Sequence, residues 1–317
     1  MRVIVTGGAG FIGANLCRHL VRAAGIDEVV AYDNLSTGAR ANLDGAGAEL
    51  VEADLLDLDA MRAAAGGAGA IVHLAARPSV QKSIEDPVAS HHANATGTLH
   101  VLEAARGAGV GHVLVASSSS VYGSNPTLPK VETLKPSPQS PYAVSKLATE
   151  TYALAYGASF GLDVLAMRFF NVFGPLQAAG HAYAAVIPAF LDAALKDQLL
   201  RIDGDGEQSR DFTFVDSVCA VITDAVQRRV ADPEPVNLAF GSRVTLLELI
   251  ELLEQMLGVE LKRQHGPVRA GDVRHSQADQ SKLRGLFPAV QPVALEDGLR
   301  KTIEWFKTGC GPLAPIR

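Results

Sequence analysis

The stretch Thr6-Gly7-Gly8-Ala9-Gly10-Phe11-Ile12-Gly13 constrains this chain more than any other. It follows a short apolar run, Val3–Val5, and precedes a helical apolar periodicity over Ile12–Ala24, so the glycines stand where a strand turns into a helix. Glycines at such a junction permit a tight turn, admit backbone N–H groups close to a pyrophosphate and let the helix pack on the strand. The segment satisfies both G-x-G-x-x-G (Gly8, Gly10, Gly13) and G-x-x-G-x-x-G (Gly7, Gly10, Gly13). A lone match of this kind also suits a purely structural loop. Asp33 decides between the two: it closes the next apolar run, Glu28–Tyr32, 20 residues past Gly13. An acidic side chain there binds the adenosine ribose hydroxyls and repels a 2′-phosphate. The pattern is that of a dinucleotide site preferring NAD to NADP, and Arg40 lies too far past the strand to serve a 2′-phosphate.

Further apolar runs at Ala70–Leu74, His112–Ala116 and Asp163–Arg168 alternate with helical patterns, clearest over Ala93–Gly107 and Tyr142–Phe160. Near-continuous apolar strands between helices predict an α/β fold, a Rossmann-type doubly wound parallel sheet. Past Phe173 the alternation breaks. Gly174-Pro175 reads as a turn, Tyr183–Leu195 as helical from Pro188 onward, and Gly204-Asp205-Gly206 as a tight loop. Thr245–Leu257 is an amphipathic helix with Thr245 and Glu248 in capping-box spacing. We expect residues 1–172 to form the dinucleotide-binding domain, with a segment near 211–240 returning to it and Val236–Ala239 as a late strand. Residues 173–317 are expected to form a smaller mixed α/β substrate domain.

Composition excludes several classes. With 48% hydrophobic and 20% charged residues over 317 positions, the chain can bury a sizeable core and is not of disordered type. A net charge of −6 lacks the basic excess of a general nucleic-acid binder. Cys17, Cys219 and Cys310 have no disulfide or zinc spacing, and the histidines, among them His73, His91, His92, His181 and His275, form no metal-spaced cluster. No metal is expected, and these cysteines read as incidental thiols. No apolar stretch approaches a membrane span, and the N-terminus lacks the continuous apolar core and cleavage site of a signal peptide. A cytoplasmic protein is expected.

Two more segments carry chemistry. Ser117-Ser118-Ser119-Ser120-Val121-Tyr122-Gly123 follows a strand, at the carboxyl edge where such sheets bind ligands. Ser140-Pro141-Tyr142-Ala143-Val144-Ser145-Lys146 opens a helix and puts Tyr142 and Lys146 on one face. Tyr-x-x-x-Lys alone is a common surface pair. Beside a dinucleotide loop, an ammonium that lowers a tyrosine pKa makes a base usable near neutrality. Tyr122, Trp305 and Phe306 read as packed aromatics.

TGGAGFIG, SSSSVYG and YAVSK, continued by RFFNVFGP (Arg168–Pro175), GDGEQSRDF (Gly204–Phe212) and RAGDVRHSQAD (Arg269–Asp279), resemble the extended short-chain dehydrogenase/reductases that act on nucleotide sugars. The resemblance covers nearly the whole chain and is strongest to the UDP-hexose 4-epimerases, particularly those accepting UDP-N-acetylglucosamine. It implies that Tyr142 takes a proton from the sugar 4-OH while hydride leaves C4 for NAD+, that Lys146 holds the nicotinamide ribose and tunes Tyr142, and that Ser118 hydrogen-bonds the same oxygen. It further implies a cofactor groove of Gly7, Gly10, Phe11, Ile12, Gly13, Asp33, Asn34, Asp54, Leu55, Leu74, Ala75, Ala76, Asn94 and Phe170. Asp54 and Leu55 would lie at the adenine edge after a third strand. Substrate contacts map to Asn171, Ala185, Val186, Arg210, Arg269, Asp272 and Ser276, the two arginines facing the diphosphate. A homodimer is implied through the helices after Asp86 and Pro141, with His91-His92 at the start of an interface helix.

Two positions discriminate within the family. The 4,6-dehydratases carry an Asp-Glu pair where this chain has Ser119 and Ser120, so elimination is not expected. Ser276 matches a gate that is bulky tyrosine in UDP-glucose enzymes, and serine leaves room for an N-acetyl group. Leu176–His181 lacks the arginine and acidic residues common there, which leaves UDP-glucuronate as an alternative. Arg77 is its candidate cation.

Overall fold

A computed structural model of the chain describes residues 1–179, 185–268, 274–309 and 313. Along the chain run β1 (Arg2–Thr6), α1 (Phe11–Val21), β2 (Glu28–Asp33), β3 (Glu49–Glu52), α2 (Leu58–Ala65), β4 (Ala70–His73), α3 (Val80–Glu85), α4 (Pro87–His91), α5 (Gly97–Ala108), β5 (His112–Ser118), α6 (Pro141–Phe160) and β6 (Asp163–Phe169). There follow β7 (Asn171–Phe173), α7 (Val186–Leu195), β8 (Leu200–Asp203), β9 (Ser209–Arg210), β10 (Phe212–Phe214), α8 (Val215–Arg228), β11 (Val236–Leu238), β12 (Val244–Thr245), α9 (Leu246–Leu257), β13 (Arg263–Gly266), α10 (Ser281–Leu286) and α11 (Leu295–Lys307).

Seven strands pair in the order β3-β2-β1-β4-β5-β6-β11, all parallel. The order reverses between β1 and β4, the switch point where open α/β sheets hold ligands. Successive strand residues point to opposite faces. Val3 and Val5 join the core beneath α1 and α8, whereas Ile4 joins the one formed with α2, α5 and α6. Three two-stranded sheets, β7–β10, β9–β12 and β8–β13, build the smaller C-terminal layer. Among the described residues no helix is long and apolar enough to cross a membrane.

The runs read from sequence delimit five strands to within two residues, and Val236–Ala239 marks the edge strand β11. β3 escapes that reading because only Leu50 and Val51 separate two glutamates, and its four residues are half-buried or exposed. α7 starts at Val186, two residues before Pro188, and α9 carries the expected capping box. One helix differs more. Before α5 the backbone widens into a π-turn, His92–Thr96, which turns Asn94 inward. His91 therefore closes α4 and His92 opens that turn, instead of both beginning a helix, and both are exposed. Cys17 and Cys219 are buried free thiols, and Cys310 lies outside the described residues. Tyr122, Trp305 and Phe306 are buried.

One buried ion pair ties α6 to β6. Arg168 donates from Nε to Glu150 Oε2 at 2.9 Å and from Nη2 to Oε1 at 2.6 Å, both side chains being 3% exposed. The Ser117 hydroxyl donates to the same carboxylate at 2.8 Å, and Arg168 stacks 4.7 Å over the Tyr122 ring. Removing one partner of such a pair strands the other charge in the core. Glu150→Gln is therefore expected to cost about 3–5 kcal/mol in urea unfolding. A loss below ~1 kcal/mol would mean that water reaches the guanidinium.

Candidate active site

Parallel pairing places the ends of β1, β4, β5 and β6 along one edge, with Thr6 opposite Tyr32 and His73, and Ser118 opposite Phe169. At the end of β1 a Cβ on Gly7 would fall 2.7 Å from Ala75 N, on Gly8 2.6 Å from Ala31 Cα, and on Gly13 2.1 Å from Gly7 O. Close packing alone requires these three glycines. Gly10 differs, its nearest neighbour being Gly7 O at 3.2 Å. It stands at the N-cap of α1 without a side-chain cap, and no acidic residue follows in the first turn, so the helix N-terminus presents bare N–H groups suited to a pyrophosphate. Asp33, at the end of β2, accepts from Ala9 N–H at 3.0 Å and Leu35 N–H at 2.8 Å, which fixes its carboxylate beside that loop. Asn34 donates to Asp54 at 2.7 Å, and Arg40 is taken up by Glu52. These residues fit a dinucleotide.

Behind the loop runs a buried polar chain. His73 meets the Thr6 hydroxyl through Nδ1 at 2.7 Å and the Thr98 hydroxyl through Nε2 at 3.0 Å. Thr98 donates to Asn94 O at 2.6 Å, so it accepts from His73 Nε2–H, and Nδ1 accepts from Thr6. Burial and the Lys146 ammonium push the imidazole down to about 3, so it remains neutral. Asn94 accepts from Arg77 N–H at 2.7 Å and donates to Ser145 at 2.9 Å, and Ser145 donates to Tyr142 O at 2.8 Å. Leu74, Ala75 and Ala76 follow β4 as a half-buried strip held by Leu74 N–H to Thr6 O at 3.1 Å.

Ser140 caps α6 through Ala143 N–H at 3.2 Å, with Pro141 in the first turn, and the Tyr142 N–H donates to Ser83 of α3 at 3.0 Å. Ser118 hydrogen-bonds the Tyr142 phenol. Ser120 donates into Ser118 Oγ from its N–H at 3.1 Å and its hydroxyl at 2.9 Å, which leaves the Ser118 proton for Tyr142. Lys146 is buried and donates to Ala116 O at 2.8 Å. One sequence expectation is corrected here. Burial raises the Tyr142 phenol above its ordinary value of 10, and the opposing pull comes from Ser118, not from Lys146. The ammonium is turned onto a backbone carbonyl instead.

Asn171 follows β6 and donates from N–H to Asp211 O at 3.2 Å, while Ser276 N–H donates to Ser209 O at 3.0 Å. Arg210, on β9, donates to Ser209 O at 2.9 Å and Arg274 O at 3.2 Å. Asn171, Arg210 and Ser276 thus come together around β7, β9 and β10. Ala185 is the exposed N-cap of α7, next to half-buried Val186. Arg269 and Asp272 lie outside the described residues, as does His181. Phe170 is buried and packs 6.4 Å from Tyr122. Arg77 pairs with Asp86 at 3.1 Å.

Sequence reasoning missed Asp211, Ser145, Thr98, Thr149, Arg243 and Arg274. Asp211 carries no sign in the sequence of its place but is wholly buried, and burial pushes its carboxyl up to about 7 against hydrogen bonds led by Ala278 N–H. Arg243 donates to Ser209 Oγ at 2.8 Å. Burial and the neighbouring guanidiniums of Arg243, Arg274 and Arg210 push His275 down, marking a concentration of cations suited to an anionic ligand. The only sequence signal was the density of Arg in that region.

The profile of the NAD dependent epimerase/dehydratase family matches residues 3–239. A UDP-glucose 4-epimerase of Mycolicibacterium smegmatis is 36% identical over 316 residues, covering 97% of this chain and 99% of that protein. Among solved structures, UDP-N-acetylglucosamine 4-epimerase from Methanobrevibacter ruminantium, in complex with UDP-N-acetylmuramic acid, superposes with a TM-score of 0.91 at 34% identity, covering 97% and 98% of the two chains. UDP-glucose 4-epimerase from Thermotoga maritima, with UDP-glucose, gives 0.91 at 33% identity and 98% and 99% coverage.

Burial lowers Lys146 to about 8. In the cofactor-free protein its ammonium is therefore expected to lose its proton as pH rises through about 8, as read by NMR of the lysine side chains against a Lys146→Met control. Titration near the ordinary lysine value of 10.5 would contradict this.

Proposed function

The chain belongs to the NAD-dependent epimerase/dehydratase family and is a UDP-sugar 4-epimerase; we propose that its preferred pair is UDP-N-acetylglucosamine and its galacto epimer, with UDP-glucose and UDP-galactose also accepted. The observation that carries the reaction type is the Ser120–Ser118–Tyr142 hydrogen-bond chain, in which Ser120, next to Ser119, puts a hydroxyl where elimination chemistry would need a carboxylate. Small Ser276 beside Arg210 supports the acetylated sugar. Arg77, the candidate cation for a UDP-glucuronate carboxylate, is paired with Asp86 at 3.1 Å, and UDP-glucuronate stays the alternative substrate.

Bound NAD would supply the hydride acceptor in its oxidised form and the hydride donor in its reduced form. In the mechanism we propose, Tyr142 removes the proton from the sugar 4-OH and Ser118 steadies the same oxygen by hydrogen bonding. Lys146 keeps donors for the nicotinamide ribose beyond the one bonded to Ala116 O. The bare N-terminus of α1 and Asp33 hold the two ends of the adenosine diphosphate, with Phe11, Ile12, Asp54, Leu55 and Asn94 lining the groove. Arg210, joined by Arg269, takes the UDP diphosphate, and Asn171 and Asp272 orient the rest.

In this reading residues 1–172, with the returning segment near 211–240, form the cofactor unit, and 173–317 the nucleotide-sugar unit, in a cytoplasmic homodimer. Ile84, Val88, Val144 and Tyr152 expose apolar surface on α3, α4 and α6, which supports dimerisation through those helices.

The test is incubation of the protein and NAD+ with UDP-GlcNAc, UDP-glucose and UDP-glucuronate separately, with products read from their anomeric protons by NMR. A galacto-configured product from UDP-GlcNAc is expected, and turnover of the glucuronate alone would overturn the substrate. Ser276→Tyr should abolish turnover of the acetylated sugar and spare UDP-glucose, whereas equal loss on both would remove the gate. Tyr142→Phe should keep NAD and lower turnover by about 10²–10⁴-fold. Near-normal turnover there would mean that the proton leaves by another route.

A further inference from the structure

Asn171, Arg210 and Ser276 lie on three separate segments, and one buried residue joins them. Asp211 follows Arg210 directly, and its carbonyl accepts from Asn171 N–H at 3.2 Å and from Asn171 Nδ2 at 3.4 Å. Its carboxylate reaches the other side. Oδ2 accepts from the N–H of Ala278, two residues past Ser276, at 3.0 Å, and Oδ1 lies 3.3 Å from the Ser242 hydroxyl, whose one proton it shares with Phe212 O at 2.9 Å. The N–H groups of Gly241 and Ser242 also donate to it. The side chain is 0% exposed, and these partners are all neutral donors.

A buried carboxylate served by neutral donors stabilises a fold less readily than an apolar residue of the same size, so its presence here needs another reason. Convergence supplies it. When ionised, the carboxylate gathers N–H and O–H donors from the 241–242 and 278 segments, and so adds a side-chain anchor to the backbone bonds that already join both segments to β9. We infer that Asp211 is a positioning residue for the nucleotide sugar, locking Asn171, Arg210 and Ser276 into one arrangement before the ligand arrives. Resting as it does on the proposed nucleotide-sugar site, it deepens that proposal by saying what preorganises the site. Binding energy is then not spent on ordering three segments.

Asp211→Asn keeps the shape but replaces one acceptor oxygen by an NH2 that faces a donor. The expected result is a KM for the nucleotide sugar and a Kd for UDP, by calorimetry, raised roughly 10-fold or more. Turnover at saturation and NAD affinity should hold, because the sheet and glycine loop lie elsewhere, while the thermal midpoint falls only by the cost of one mispaired buried donor. A merely structural role would lower all of these together. Ser242→Ala, which removes one donor and leaves the carboxylate, should weaken UDP about 3-fold, and it decides the question if Asp211→Asn does not fold. Wild-type protein that binds UDP, with a folded variant of unchanged affinity, overturns the inference alone. Wild-type protein that does not bind UDP overturns the nucleotide-sugar site and this inference with it.

Discussion

A neutral imidazole in the core sets the geometry on which the site depends. The glycine loop and the Tyr142–Lys146 helix come from distant parts of the chain, and parallel strands fix only the edge along which they meet. His73 joins them. It accepts a hydrogen bond from Thr6 at the foot of the loop and donates one to Thr98, which shares the Asn94 carbonyl and a 3.0 Å contact with Thr149 of α6. A protonated His73 would have two donors and nothing to receive Thr6, and the Lys146 ammonium nearby disfavours that state. Burial keeps the hub uncharged, and the lysine that would hold the cofactor ribose adds to that effect, so the loop and the helix are coupled electrostatically as well as by contact.

The sheet and the cofactor loop are legible in the sequence because both leave local signals. Buried parallel strands are apolar on both faces, and a glycine loop that meets backbone at under 3 Å tolerates no other residue. Helix α6 is equally plain from its Ser-Pro start. What stays hidden depends on long-range partners. The π-turn that inserts Asn94 has no composition of its own, and edge strand β3 offers two apolar residues. Asp211 stays hidden as well, since a sequence cannot show which carboxylate will be enclosed. The Tyr142 ionisation misleads for the same reason: helical spacing places Lys146 on the right face, but only the fold shows its amine turned to Ala116 O.

Serines dominate the reacting edge, and each has a different partner. Ser117 points back to Glu150 and the buried ion pair, Ser118 forward to Tyr142, and Ser120 onto Ser118. The four-serine run is a strand end whose alternate residues serve opposite layers, followed by a 3₁₀ turn at Ser119–Tyr122 that folds the fourth hydroxyl over the second.

Strand β11 bears on how the molecule can be divided. After building the smaller layer the chain comes back to cover β6, where Asn237 accepts from the Tyr122 hydroxyl at 2.6 Å and donates to Lys130 O at 2.8 Å. Just before it, α8 shares the core beneath α1, bringing Cys219 into the same cluster as Cys17. Cutting the chain near residue 172 would leave an open sheet edge and an uncovered apolar helix face, an invitation to aggregate. The cofactor half cannot be expressed apart from the rest by truncation, and transplanting the smaller layer onto another scaffold would have to carry α8 and β11 with it.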